Sequence, residues 1–354
     1  NGVAASSGED GQAMLGLEKP LDIAALFLDT SCVKANIHFP VDWVLLRDAT
    51  RTLIKAVILI RKRGLKNRMA EPSEFIRQIN GLSIEMTHAR RRPDSHKARK
   101  RVLRTMKKLM KKIDHHARTH RDLLESERER TDLTAAEALV IIKRVDGIRA
   151  QLPAAIRQAH ERIIGGRLLA NKDKILSLYE SDIHVLLRGK AGAEVEFGNT
   201  LLLAEQSAGV IVDWKLIKDQ APADSKMVAD NLDRFEQVFG LRPKAMAGDR
   251  GFDSNANRAL LEESGVYNAI CPRSVTDLRE RLKENEFVRL QARRSQTESR
   301  IAIFKNGFLG RPMRSKGFRY RENRVTWAVL AHNLWVIARL PEAKQKSEPL
   351  EKAA

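Results

Sequence analysis

An apolar run that ends on a carboxylate sets the strongest constraint in this chain. Pro243-Lys-Ala-Met-Ala-Gly-Asp249-Arg-Gly-Phe252 reads as a short buried strand that delivers one acid to its carboxyl end. Open α/β sheets place their sites at that end. Gly248 and Gly251 leave room for close approach of a backbone or a ligand. On its own, Asp249 suits an acid that opens a turn equally well. Two further acids add weight to the chemical reading. Residues 23–28 form a second apolar run, predicted as a central strand with Asp29 at its end, and Glu298 lies in a charged, helix-prone stretch over 277–307.

Between the first two acids the hydrophobic period changes. Residues 33–39 are predicted to pair back on the first strand as a hairpin, stopped by Pro40. From residue 42 to about 180 the period is 3.6. Asp42 is placed to cap a helix whose face carries Leu46, Ala49, Leu53, Ala56 and Ile60, with Gly64 closing it. A second helix is predicted over 74–114, interrupted near Pro93. Thr134-Ala-Ala-Glu137 is a capping box for a third, to about 152, and Pro153 suits the first turn of a fourth, to about 178. This block is predicted to be an all-helical insertion projecting from a sheet. After residue 181 strand patterns return: 194–197, 201–203, a turn at 207–209, and 210–217. A helix from Asp224-Ser225 closed by Gly240 follows, then the strand before Asp249, a helix from Ser254 to Gly265, and a strand at 266–270. The run 325–338 is apolar nearly all round and is predicted to be a buried helix.

Charge narrows the partner. The net charge of +19 over 354 residues, with a pI near 10.1, attracts polyanions: nucleic acid first, an anionic membrane surface second. Residues 90–112 hold twelve Lys or Arg against one Asp, which fits either a solvated face or a phosphate contact. No apolar run is long enough to span a bilayer and no signal-peptide pattern is present, so no membrane partner and a cytoplasmic, nucleoid-associated location are expected. Cys32 and Cys271 lie far apart and outside metal-ligand spacings, as reduced thiols would. Residues 1–20 read as a linker remnant of a longer frame and 341–354 as a disordered polar tail.

If the strands before Asp29 and Asp249 are neighbours, their carboxylates lie side by side, and a helix crossing that sheet end can add Glu298. Converging carboxylates repel unless cations neutralise them. Oxygen-only ligands select Mg²⁺ or Mn²⁺, and two such ions about 3.5–4 Å apart clamp the attacking and leaving oxygens in phosphodiester displacement. Arg294 and Lys305, four before and seven after Glu298, fall on its face of an ideal helix. Without that chemistry they are an ordinary surface ion-pair face.

These residues resemble the DDE transposases of bacterial insertion sequences. The resemblance rests on Leu28-Asp29-Thr-Ser with Asn36-Ile-His-Phe-Pro-Val-Asp42, on Gly248-Asp249-Arg-Gly-Phe252, and on the last acid. There the family pattern is Tyr, two residues, Arg, three residues, Glu, six residues, Lys. Arg294, Glu298 and Lys305 match it, while Gln291 stands at the Tyr position. The likeness implies an α/β fold: a ribonuclease H-like mixed sheet flanked by helices, over 21–40 plus 181–340, with 41–180 as a large all-helical insertion after the first strand. Asp29 and Asp249 are 220 residues apart (249 − 29), and removing that insertion of 140 leaves 80, ordinary for the family. It implies that Asp29, Asp249 and Glu298 are catalytic metal ligands for Mg²⁺ or Mn²⁺, with two ions expected. Arg294, Lys305, Arg250 and Arg300 would be DNA contacts. The implied reaction is hydrolysis at transposon ends followed by strand transfer into double-stranded target DNA, with a homodimer on DNA as a further expectation. A ribonuclease H-like nuclease without strand transfer, and an inactive basic DNA-binding remnant, are the alternatives. Members usually carry a DNA-binding domain before the first Asp; only 28 residues precede Asp29, so an N-terminally truncated core is expected.

Overall fold

A computed structural model describes residues 22–190, 193–310 and 313–340; the expected linker remnant and C-terminal tail fall outside the described residues. The chain divides into two compact units. One comprises the described residues up to Asn36 together with those from Asp182 on, and the other is Ile37–Ser181.

The first unit is a mixed α/β structure built on a six-stranded sheet. Its strands are β1 (Ala25–Lys34), β2 (His184–Lys190), β3 (Ala193–Glu205), β4 (Ile211–Leu216), β5 (Ala245–Gly248) and β6 (Tyr267–Ile270). The order is β2-β3-β1-β5-β6, with β4 also on β3. β3 runs antiparallel to β1, while β1, β5 and β6 are parallel. β1 alternates its contacts. Leu26 and Leu28 join Met246 and Phe235 on one face, and Ala25 and Phe27 join Ala247, Phe287 and Leu290 on the other. Strand period two therefore sends Asp29 to the second face.

Helices cover both faces. α5 (Val228–Phe239) and α6 (Asn255–Glu263) supply Leu232, Phe235 and Leu261 to the first. On the other side lie α7 (Val275–Arg281), α8 (Asn285–Ile303) and α9 (Phe318–Ile337). Phe287 and Leu290 of α8 pack on Phe27, and Ile301 of α8 with Val325 and Val329 of α9 packs on Val33 and Leu203.

The second unit contains no strand. Its helices are α1 (Asp42–Lys62), α2 (Pro72–Ala89), α3 (Ser95–Ser126) and α4 (Ala135–Ile163), around one core that includes Leu46, Leu53, Ile79, Met106, Ile113 and Ile148. The Thr134–Glu137 capping box forms as read from the sequence.

Several sequence expectations are corrected. β1 is one ten-residue strand, so Asp29 sits inside it opposite Leu203 and no hairpin forms over 33–39. Pairing with β3 over eight rungs carries β1 past the acid, which a single-strand pattern cannot show. Val41 rather than Asp42 is the N-cap of α1. The Asp42 carboxylate is buried and accepts from Gln158 Nε2 at 3.0 Å and Arg162 Nη1 at 2.8 Å. α3 continues to Ser126, and α4 runs unbroken through Pro153. A mid-helix proline costs about 3 kcal/mol; here Ile148, Leu152, Ala155 and Ala159 bury a continuous stripe across it. The helix-prone stretch 277–307 does form helix, as α7, α8 and the start of a π-helical segment, Phe304–Leu309. α9 is buried along Val325, Ala328, Val329 and Val336 but exposes Trp327, Leu330 and Leu334 on its outer side.

Candidate active site

Register brings two of the three acids level. The parallel rungs of β1 and β5 end at Phe27 opposite Ala247, and two residues further along each strand stand Asp29 and Asp249. Asp29 receives the Thr30 amide on Oδ1 at 2.7 Å. Its carboxyl is nevertheless pushed up to about 6. Burial is the main cause; the charges of Asp249 and Glu298 add to it, while the Thr30 amide and Arg294 oppose it. Two acids distant in sequence thus act on the Asp29 carboxyl.

Asp249 closes β5 and caps the 3₁₀ turn Arg250–Phe252, with Oδ1 accepting the Gly251 amide at 2.8 Å. The turn role and the site position coexist. Gly251 is tight: a Cβ there would lie 2.9 Å from both Asp249 Oδ1 and Asp224 Oδ2. Asp224 is therefore a further carboxylate beside the pair, and its Oδ2 also accepts from Thr30 Oγ1 at 3.3 Å. The sequence marks Asp224 only as a helix-start residue; its nearness to Asp249 comes from the β4–α5 connection and has no local signal.

Glu298 is exposed on α8, and the helix is fixed to the sheet at three points. Gln291 Nε2 donates to the carbonyls of Gly248 at 3.1 Å and Ala269 at 2.6 Å, pinning α8 to the ends of β5 and β6 directly before Asp249. Arg293 is clamped by buried Glu205, stacks on Phe27 and donates to the Ser207 carbonyl. Arg300 donates to the Ala208 carbonyl at 2.6 Å, its guanidinium filling the place where Gly209 lacks a side chain. Gly209 has φ +97°, so the tight turn and the close packing both require glycine. Replacing Gln291 by Ala should take this donor from the Ala269 carbonyl, leave the Gly248 carbonyl with the Cys271 amide, and loosen α8. The expected loss is about 1–3 kcal/mol in a denaturant melt. An unchanged melt midpoint would show that α8 holds its place without this side chain.

The structure separates the expected DNA contacts into two groups. Arg250 is exposed beside Asp249, and Arg294 is half-buried, with its charge reaching Asp29 and its Nε buried without a hydrogen-bond partner. Lys305 and Arg300 are engaged within the protein. Lys305 is 5% exposed and its Nζ donates to Ser31 Oγ at 2.9 Å, two residues along β1 from Asp29. The π-helical segment breaks the ideal spacing after Ile303 and turns this ammonium inward rather than along an exposed face with Arg294. Arg300 is committed to the 206–209 turn, as above.

The carboxylates of Asp29, Asp249 and Asp224 offer oxygen donors, which suit a hard divalent cation. A carboxyl held up by burial and like charge is stabilised in its ionised form by such an ion. Among the described residues no three acid, His or Cys side chains enclose a metal position. No described helix is long and apolar enough to cross a membrane.

Residues 197–334 match the family model of the transposase DDE domain, a span that includes Asp249, Gln291 and Glu298 and begins after β1. No curated protein and no solved structure matches the chain. Over those residues the chain is thus similar to the transposase DDE domain, a family that acts on DNA and in general uses divalent metal ions.

Proposed function

We propose that this chain is the catalytic core of an insertion-sequence transposase with a ribonuclease H-like fold, cutting phosphodiester bonds at element ends and joining the freed 3′-hydroxyl to target DNA. The observation that carries the reading is the pairing of Asp29 and Asp249 on adjacent parallel strands, under the helix that bears Glu298. The sheet order, with an antiparallel β3 beside parallel β1, β5 and β6, supports the fold assignment.

Asp29 and Asp249 would hold Mg²⁺ or Mn²⁺, with Glu298 completing the set and two ions the expected number. Bound there, divalent ions supply Lewis-acid stabilisation of the in-line displacement. The chain's own residues do the rest. Gln291 and Arg293 hold α8 against the sheet. Arg294 offers positive charge beside the acids, and exposed Arg250 can meet a phosphate next to Asp249. Lys305 sits behind the acids and positions β1 through Ser31.

The test is incubation of supercoiled and linear duplex DNA with the purified chain, with and without Mg²⁺ or Mn²⁺. Metal-dependent nicking with joined products supports transposase chemistry. Nicking without joined products favours a nuclease of the same fold, and intact DNA under all conditions favours a binding remnant.

A further inference from the structure

α3 of the helical unit carries a ridge of positive charge that the active site does not account for. Lys97, Arg101, Arg104, Lys108 and Lys111 are all exposed, and their spacings of four, three, four and three keep them on one side of the helix. The opposite side holds Ala98, Val102, Met106, Met110, Ile113 and Ala117, all buried in the four-helix core. The helix is therefore held by its apolar side and presents a straight line of cations about 21 Å long from Lys97 to Lys111.

This line is electrostatically costly in the free protein. Arg101 pairs with Glu85 at 3.1 Å, but Lys97, Arg104, Lys108 and Lys111 have no acid partner among the described residues. Like charges at these spacings destabilise a helix. The first turn of α3 holds no acid, so the N-terminal cations also oppose the positive end of the helix dipole. Nearby Arg99 feels the same crowding: burial, then Arg90, lower its proton affinity.

We infer that this ridge is a sequence-independent docking surface for the phosphate backbone of duplex DNA. A rigid, linear, single-sign array complements a linear polyanion, and a duplex presents one negative charge per about 1.7 Å of axis. Insertion of an amphipathic helix at a membrane surface requires an apolar side turned to lipid, and the apolar side of α3 is already in the protein core. The inference rests on the reading that the chain acts on DNA, but not on the assignment of Asp29, Asp249 or Glu298.

The experiment measures binding of the full chain to a fluorescent duplex of arbitrary sequence over a series of KCl concentrations. One variant combines K97Q, R104Q, K108Q and K111Q. A control combines R51Q, K55Q, K66Q and R68Q, which removes the same charge from exposed sites elsewhere on the same unit. Far-UV circular dichroism checks that both keep their helices, and a further variant with Arg at Lys97, Lys108 and Lys111 keeps the charge. The ridge variant should lose about 3 to 4 from the slope of log K against log salt, and bind at least about tenfold more weakly. The control and the Arg variant should stay near wild type. An unchanged slope overturns the proposal, as does an equal fall in the control, or a loss seen on single-stranded RNA or anionic vesicles but not on duplex DNA. D249N retains the ridge and separates the two readings. In the wild-type chain, ridge-dependent binding without any cleavage leaves this inference standing and removes the catalytic one; metal-dependent cleavage that D249N abolishes, with an unchanged ridge slope, does the reverse.

Discussion

Asparagine at position 29 should stop DNA cleavage while making the metal-free protein more stable at neutral pH. Loss of one pre-organised electrostatic group at a reaction centre costs about 10²–10³ in rate, and Asp249→Asn should do the same. The stability half is specific to Asp29. Its folded pKa of about 6 lies above the ordinary 3.8, so the folded state holds the proton more tightly than the unfolded chain. The stabilisation linked to that proton is complete below about pH 4 and is lost as pH rises through 6. At neutral pH the ionised Asp29 then costs the fold about 3 kcal/mol, at about 1.4 kcal/mol for each pKa unit. Asn carries no charge to desolvate. Melting curves without divalent ions should put Asp29→Asn above wild type at neutral pH and level with it near pH 4. A variant that melts lower at neutral pH would show that Asp29 is not a desolvated, like-charge-crowded carboxylate.

Glu205→Ala should be among the most destabilising single changes in the sheet unit. Glu205 ends β3 almost fully buried, and its Oε1 accepts both terminal nitrogens of Arg293 at 3.0 Å and Thr297 Oγ1 at 2.8 Å. Removing it leaves a largely buried guanidinium over Phe27 without its counter-ion. Breaking such a pair costs about 3–5 kcal/mol, readable as a shift in urea midpoint. A change below about 1 kcal/mol would mean that the Ser207 and Gln206 carbonyls alone hold Arg293 in place.

The parts of this protein legible in its sequence are those with local causes. The small apolar run before Asp249, the Ser254 cap, the turn at 207–209 and the Thr134 capping box all depend on neighbouring residues, and each forms. What escaped depends on partners far along the chain. β2 is an exception: its partner, the first half of β3, lies only three to fourteen residues on. The continuation of β1 past Asp29 needs β3 to pair with it. The inward turn of Lys305 follows from a π-helical segment that no spacing rule anticipates, and the apolar outer side of α9 reads as core because hydrophobicity alone does not tell which side faces solvent. For the site, residue types and order were legible, while the nearness of Asp224 and the anchoring by Gln291 were not. Gln291 read as a departure from a family pattern; in the folded chain its amide ties the Glu298 helix to the carbonyl before Asp249.

The central claim is that Asp29 and Asp249 jointly hold a divalent cation, and calorimetric titration of the DNA-free chain with Mn²⁺ tests it most directly. Wild-type protein should bind Mn²⁺ at neutral pH and release protons in doing so. Binding should weaken as the pH falls below about 6, where Asp29 takes up its proton. Asp29→Asn and Asp249→Asn should each lose more than the 10–100-fold that a change in an outer-shell partner costs. Binding isotherms of the two variants that superimpose on wild type would contradict the claim, whatever DNA the protein binds.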